Sequence, residues 1–176
     1  MPDIKVIEGF INPDDCKLAI DLINNSVLIP FPDNPTAGTA QKTPEVIEFI
    51  KKYSDKSINI HKLWNNLEHP IYTFEAFLTV WKINSYAGVH IDNHENAEFV
   101  QHSSVLYFND EFEGGEIYFP EFDFVHTPKA GDGIFFPAFT EESKYEHGVT
   151  KITKGNRYTM GLWHTQSKEF ADKELL

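Results

Sequence analysis

Residues 72–83 read YTFEAFLTVWKI, from Tyr72 to Ile83, a run dense in the aromatic and β-branched side chains that fill a pleated sheet. The run follows His69-Pro70 and marks a change of texture along the chain. Downstream, short strand-like runs succeed one another at 99–100, 103–108, 115–119, 122–125, 133–136, 147–152 and 157–163. Turn residues separate them at Asn109-Asp110, Gly114-Gly115, 128–133 and Lys154-Gly155-Asn156, with Gly114-Gly115 expected at positive φ. Upstream the pattern is helical. After a short strand over 4–11, Asn12-Pro13-Asp14-Asp15 reads as a helix start, with Asn as cap, Pro in the first turn and acids beside it. That helix is expected to end near Asn25. A second, from Thr43-Pro44-Glu45 to near Tyr53, and a third over 58–67 follow. Between the first two, 28–40 holds Pro30, Pro32, Pro35 and Gly38 and reads as a loop, a candidate lid or substrate-binding segment. Helices first and many short strands after predict a mainly β, α+β chain: an antiparallel sandwich or jelly roll with helices packed outside.

Composition sets the bounds. The chain has 176 residues, 41% of them hydrophobic and 14% aromatic, including 15 Phe, which suits one domain with a sizeable core. The expected division is a helical support region over 1–69 and a β core over 70–166. Lys and Arg number 15 against 27 Asp and Glu, a formal charge of −12 that argues against nucleic acid as a partner. Cys16 is the lone cysteine, so neither an internal disulfide nor a cysteine-based zinc site is expected. No apolar stretch has the length of a membrane span and the N-terminus lacks a signal-like apolar region, so a cytoplasmic setting is the expectation.

The chemistry centres on His90-Ile91-Asp92. Residues i and i+2 of a strand share a face, so this triplet presents an imidazole and a carboxylate together, two parts of a 2-His-1-carboxylate site for Fe(II). His147 opens a later strand and is the candidate third ligand. Arg157 stands ten residues on, past Thr153-Lys154-Gly155-Asn156, which reads as a hairpin turn. By period two, Arg157, Thr159, Gly161 and Trp163 share one strand face. A guanidinium near an iron with open positions suits a 2-oxo acid carrying a distal carboxylate, the shape of 2-oxoglutarate. His94 and His102 follow the triplet as rival ligands but read as exposed polar residues. His61, His69, His126 and His164 have no partner at ligand spacing, and His164 is expected to face away from Arg157.

The text from about 72 to 166 resembles the 2-oxoglutarate/Fe(II)-dependent dioxygenases, and most the prolyl 4-hydroxylase branch. The resemblance is carried by His90-Ile91-Asp92, Ser103 to Asp110, Phe112 to Glu116, Tyr118-Phe119-Pro120, Pro128 to Asp132, His147-Gly148-Val149, Gly155-Asn156-Arg157 and Trp163, in that order. It implies a double-stranded β-helix (jelly-roll, cupin-like) core with Fe(II), 2-oxoglutarate and O2, and ascorbate as an optional reductant. It implies His90, Asp92 and His147 as catalytic metal ligands and Arg157 on the distal carboxylate, with Tyr107 and Trp163 beside the co-substrate. Arg157 stands where prolyl hydroxylases often have Lys. The tyrosine usually found on the strand before the HxD run is replaced by Trp81 or Ile83, with Tyr86 the nearest substitute. The implied reaction is hydroxylation of a C–H bond, first of a peptidyl proline, with succinate and CO2 as co-products. The competing readings are a hydroxylase of a free amino acid or other small metabolite, and a non-catalytic metal-binding β-barrel module.

Overall fold

The structure is a computed structural model and describes residues 3–92 and 99–176. His94 lies outside the described residues. The chain opens with β1 (Lys5–Ile7) and α1 (Pro13–Asn24). Asn12 caps α1 as expected: its side-chain oxygen accepts the Asp15 N–H at 2.9 Å, and Pro13 sits in the first turn. The next segment corrects the sequence reading. Residues 28–40 are not a loop but a hairpin, β2 (Leu28–Phe31) and β3 (Asn34–Ala40). Its prolines are compatible with strands: Pro30 lies on β2, the outer edge of its sheet, Pro32 lies in the turn, and Pro35 falls where the β2–β3 register shifts and before β3 pairs with β4. Helix α2 (Pro44–Trp64) corrects a second expectation, running unbroken where two helices were expected. Its buried face is Val46, Phe49, Ile50, Tyr53, Ser57 and His61. The helical period continues through the break, but on polar side chains that an apolar count does not register.

The remaining strands are β4 (Tyr72–Trp81), β5 (Ala87–His90), β6 (His102–Tyr107), β7 (Ile117–Phe119), β8 (Phe124–His126), β9 (Gly133–Pro137), β10 (His147–Val149) and β11 (Arg157–Thr165). They form a seven-stranded sheet, β1-β9-β6-β11-β4-β3-β2, and a four-stranded sheet, β5-β10-β7-β8, with antiparallel pairings throughout. This is a double-stranded β-helix. Phe99-Val100, expected as a strand, is not one, and 120–122 is a single 3-10 turn. A third correction concerns 153–156. β10 and β11 belong to different sheets, so this segment is a crossover and not a hairpin turn. It is held by Thr153 N–H to the Glu113 carbonyl (2.8 Å) and Glu113 N–H to the Lys154 carbonyl (3.0 Å). Gly155 turns there at φ 73°, and a side chain would run into the Glu111 carbonyl.

The period-two alternation of the large sheet divides the interior. One face, with Ala76, Leu78, Val80, Leu106, Phe108, Met160 and Leu162, packs beneath the two helices against Ile23, Phe49, Ile50 and Tyr53. The other face meets the small sheet, where Tyr107, Ile134 and Phe136 pack with Ile117, Phe119 and Tyr145.

On the helix side lies a polar cluster that contradicts the expectation of an exposed His102. His61, His102 and His164 are all buried beneath α2. Ser57 Oγ lies 2.8 Å from both Ser104 Oγ and His164 Nε2, and His61 Nε2 lies 2.8 Å from Ser104 Oγ. Burial pushes the His102 pKa down to about 4. Burial, with the nearby His102, pushes His164 to about 3. Burial, then His164 and His102, holds His61 well below its ordinary value. These imidazoles are therefore neutral in the fold. An unfolded chain takes up protons below about pH 6.5 that the folded chain refuses, so stability falls as pH drops from there towards the folded values. His102 alone accounts for about 2 kcal/mol between pH 7 and pH 5. Urea unfolding at the two pH values should show at least that loss, and His102→Gln should flatten the slope. A stability independent of pH across this range would contradict the buried neutral cluster.

Candidate active site

Strand pairing brings the two histidines together. β5 and β10 run antiparallel with His90 opposite His147, and Asp92 follows just beyond the end of β5. The imidazole rings lie 4.4 Å apart. His90 Nε2 is 3.7 Å from one Asp92 oxygen, and His147 Nε2 is 3.7 Å from the other. One donor atom from each of the three lies within 4.8 Å of the others. The 3.7 Å separations exceed hydrogen-bond length, and a cation among these groups would satisfy all of them. The tautomers are set from behind. His90 Nδ1 donates to the Gly88 carbonyl at 2.9 Å, and His147 Nδ1 donates to the Tyr145 carbonyl at 3.0 Å. Each Nε2 lone pair is thereby left free on the Asp92 side. Burial lowers the His147 pKa, against the opposing pull of Asp92, so the ring is held in the neutral form that ligates metals.

Tyr145 has a feature the sequence did not reveal. It adopts φ 48°, in the left-handed region that a bulky residue rarely occupies. Its ring is buried against Phe122 at 4.9 Å, its hydroxyl accepts the Asp3 N–H at 3.1 Å, and its own N–H donates to Ser143 Oγ at 3.2 Å. These contacts hold the unusual backbone that aims the Tyr145 carbonyl at His147.

The candidate ligands open onto a cavity between the sheets of about 590 Å³, its mouth included. Arg157, Thr159, Gly161 and Trp163 all line it, as period two predicts. Arg157 is only 2% exposed. Its guanidinium is sandwiched between the Trp81 ring at 5.4 Å and the Tyr107 ring at 5.0 Å. Among the described residues no carboxylate pairs with it, and its Nε has no hydrogen-bond partner. Burial lowers its pKa, yet a guanidinium stays charged at neutral pH. Tyr107 is raised chiefly by burial. It stacks on Arg157 but does not line the cavity, whereas Trp163 does.

A family model described as the 2OG-Fe(II) oxygenase superfamily matches residues 76–165, which contain all of these side chains. The chain belongs to that superfamily. Prolyl 3-hydroxylase 1 of Gallus gallus is 29% identical over 129 residues, covering 70% of this chain but only 16% of the relative. The chain thus spans about a sixth of the length of the curated relative it matches. Two solved structures share the fold. The viral collagen prolyl hydroxylase of Paramecium Bursaria Chlorella virus-1, in complex with 2OG, has a TM-score of 0.73 and 21% identity, covering 92% of this chain and 95% of that one. A Pseudomonas putida prolyl-4-hydroxylase has a TM-score of 0.74 and 16% identity, covering 95% and 94%.

The donor set suits the family's Fe(II): two neutral imidazoles and one carboxylate. The buried guanidinium of Arg157, without a carboxylate partner among the described residues, suits a carboxylate of 2-oxoglutarate. Sequence reasoning missed several other walls of the cavity. Phe31 comes from the unforeseen β2–β3 hairpin and meets Trp81 at 5.9 Å. Thr79 and Thr159 hydroxyls lie 2.7 Å apart, and Trp81 Nε1 donates to Thr79 at 3.2 Å. The alternation along β4 could have found Thr79 and Trp81 once β4 was paired with β11, but pairing is not legible from one strand.

The Tyr145 geometry is testable by metal titration. Tyr145→Ala, which releases the ring and so the carbonyl, should weaken Mn(II) or Fe(II) binding roughly tenfold by calorimetry. Tyr145→Phe, which keeps ring and carbonyl, should stay within about twofold of the unaltered chain. Equal binding by all three would show that the carbonyl does not orient His147.

Proposed function

We propose that this chain is a prolyl hydroxylase acting on proline within a peptide, with His90, Asp92 and His147 holding Fe(II) and Arg157 holding 2-oxoglutarate. The observation that carries the reading is Arg157, a buried cation without a carboxylate partner among the described residues, in the same cavity as the His-Asp-His group. With 2-oxoglutarate and O2, bound Fe(II) supplies the oxidising power that replaces a C–H bond by C–OH, releasing succinate and CO2. The residues do the rest. Arg157 takes the distal carboxylate by a two-pronged pair, which fixes the direction in which the co-substrate lies. The Tyr145 and Gly88 carbonyls keep both imidazoles in the ligating tautomer. Phe31, Trp81, Ile117 and Val149 wall the cavity and keep water from it.

The relatives by sequence are prolyl 3-hydroxylases, and the solved neighbours include prolyl 4-hydroxylases, so both support proline and leave the hydroxylated carbon to experiment. The −12 charge favours a peptide over nucleic acid. No helix among the described residues is long and apolar enough to cross a membrane, and Cys16 is buried and free, which supports a cytoplasmic setting. We read the chain as one catalytic domain in which 1–69 supports 70–166.

With Fe(II), 2-oxoglutarate and O2, the chain should form succinate and add one oxygen to proline-rich peptides, read by mass spectrometry. His90→Ala should abolish both, and turnover equal to the unaltered chain would end the proposal. Arg157→Met should raise the KM for 2-oxoglutarate by about 30-fold or more, the loss expected when a buried charge pair is broken. An unchanged KM would remove Arg157 from the co-substrate site. Metal binding with no 2-oxoglutarate consumed on any substrate would favour a non-catalytic module.

A further inference from the structure

The site-facing side of β4 and β11 is a row of cross-strand pairs. Trp81 stands opposite Arg157, Thr79 opposite Thr159, Phe77 opposite Gly161, and Glu75 opposite Trp163. Arg157 and Glu75 therefore mark opposite ends of one row, six residues or about 20 Å along β4. At the Glu75 end lies a second depression, which adjoins the cavity lined by Arg157 and shares His90, Asp92 and Trp163 with it. Glu75, Phe74, Val100 and Trp163 line it together with His90 and Asp92, so it opens directly beside the candidate metal ligands.

Glu75 is half-buried, and among the described residues its carboxylate has neither a hydrogen bond nor an ion pair. Lys42 lies close enough to influence it, but Lys42 is bonded to Asp172 at 2.6 Å and rests over the Phe77 ring at 5.7 Å. Burial raises the Glu75 pKa, with Lys42 opposing and Asp172 adding to the rise. Partial burial penalises a bare carboxylate, and only a cation or a strong donor relieves the penalty. The depression adjoins the candidate metal ligands, and among the described residues no Lys or Arg lines it.

We propose that Glu75 reads a positively charged nitrogen on the substrate, close to the carbon that is hydroxylated. This rests on the prolyl hydroxylase reading. The nitrogen is either a Lys or Arg side chain flanking the target proline or the ammonium of a peptide N-terminus, and the two are separable by capping.

The probes are acetyl-capped, amidated proline-rich peptides that differ only in Lys, Gln or Glu beside the proline, the same peptides uncapped, and free L-proline. The full chain is used with Fe(II) and 2-oxoglutarate for turnover, and labelled peptides are used for anisotropy. The Lys peptide should bind about five- to tenfold more tightly than the Glu peptide (lower Kd) and have a kcat/KM about five- to tenfold higher, as a partly desolvated charge pair allows. Glu75→Gln should collapse that ratio to below about twofold, and Glu75→Lys should invert it. A preference confined to uncapped peptides assigns the N-terminal ammonium; a preference that survives capping assigns the side chain. No charge preference in the unaltered chain, or the same ratio in Glu75→Gln, overturns the proposal. If succinate forms but neither peptide nor proline gains oxygen, the prolyl reading has failed. The anisotropy ratio then judges Glu75 separately: retained in the unaltered chain and lost in Glu75→Gln it stands, and otherwise it falls.

Discussion

A guanidinium that is 2% exposed, with no carboxylate paired to it among the described residues, is costly to fold around. Moving such a charge from water costs several kcal/mol even after the protein relaxes. The faces of Trp81 and Tyr107 return about 1–2 kcal/mol each, which offsets part of that cost and leaves Arg157 Nε without a partner. The rest of the site can be understood as what it takes to keep this cation in place. β11 is a central strand, bonded to β4 on one side and β6 on the other, so its first residue cannot swing out to solvent. Gly115, at φ 75°, leaves the space its side chain would take to the Arg157 stem, whose Cδ would be 3.0 Å from an added Cβ. On the proposed reading, a carboxylate entering the cavity is the partner that offsets the remaining cost.

The two faces of the large sheet treat histidine in opposite ways, and the difference lies in what each face places beside the ring. Between α2 and the large sheet, His61 and His164 meet serine hydroxyls and His102 packs against the His61 ring, with no acid among their bonded partners in the described residues. Neutral imidazoles there act as shaped polar filler between helix and sheet. Between the sheets, His147 is equally buried but meets the Asp92 carboxylate and His90. Burial alone would make the same neutral ring at both places. Only the second place adds a second and third donor with lone pairs facing a common centre.

Much of this was legible in the sequence, for reasons that can be named. Period two put Arg157, Thr159, Gly161 and Trp163 on one face because β11 is regular as far as Trp163; His90 and Asp92 come together as the HxD spacing suggested, although β5 ends at His90 and Asp92 lies beyond it. The division into upstream helices and downstream strands held for α1 and the start of α2. What failed depended on partners distant in the chain. The prolines of 28–40 argue for a loop until one knows that β2 is an edge and that Pro35 falls at a register shift. Ser57 and His61 break an apolar pattern until one knows that Ser104 and His164 lie beneath them. The crossover at 153–156 has the residues of a hairpin turn, and only the sheet assignment of β10 shows that it is not one.

That last correction changes how the site must be understood. With β10 and β11 in different sheets, the distance from His147 to Arg157 is not fixed by a local turn. It is fixed by how the two sheets pack. Phe136 of the large sheet and Phe119 of the small one both lie against the His147 ring, at 4.9 and 5.3 Å, and meet each other edge to face at 4.9 Å. These rings therefore hold His90 and His147 of one sheet at a set separation from Arg157 of the other. Core packing, usually discussed as stability, is here what brings the candidate ligands and the buried guanidinium to one cavity.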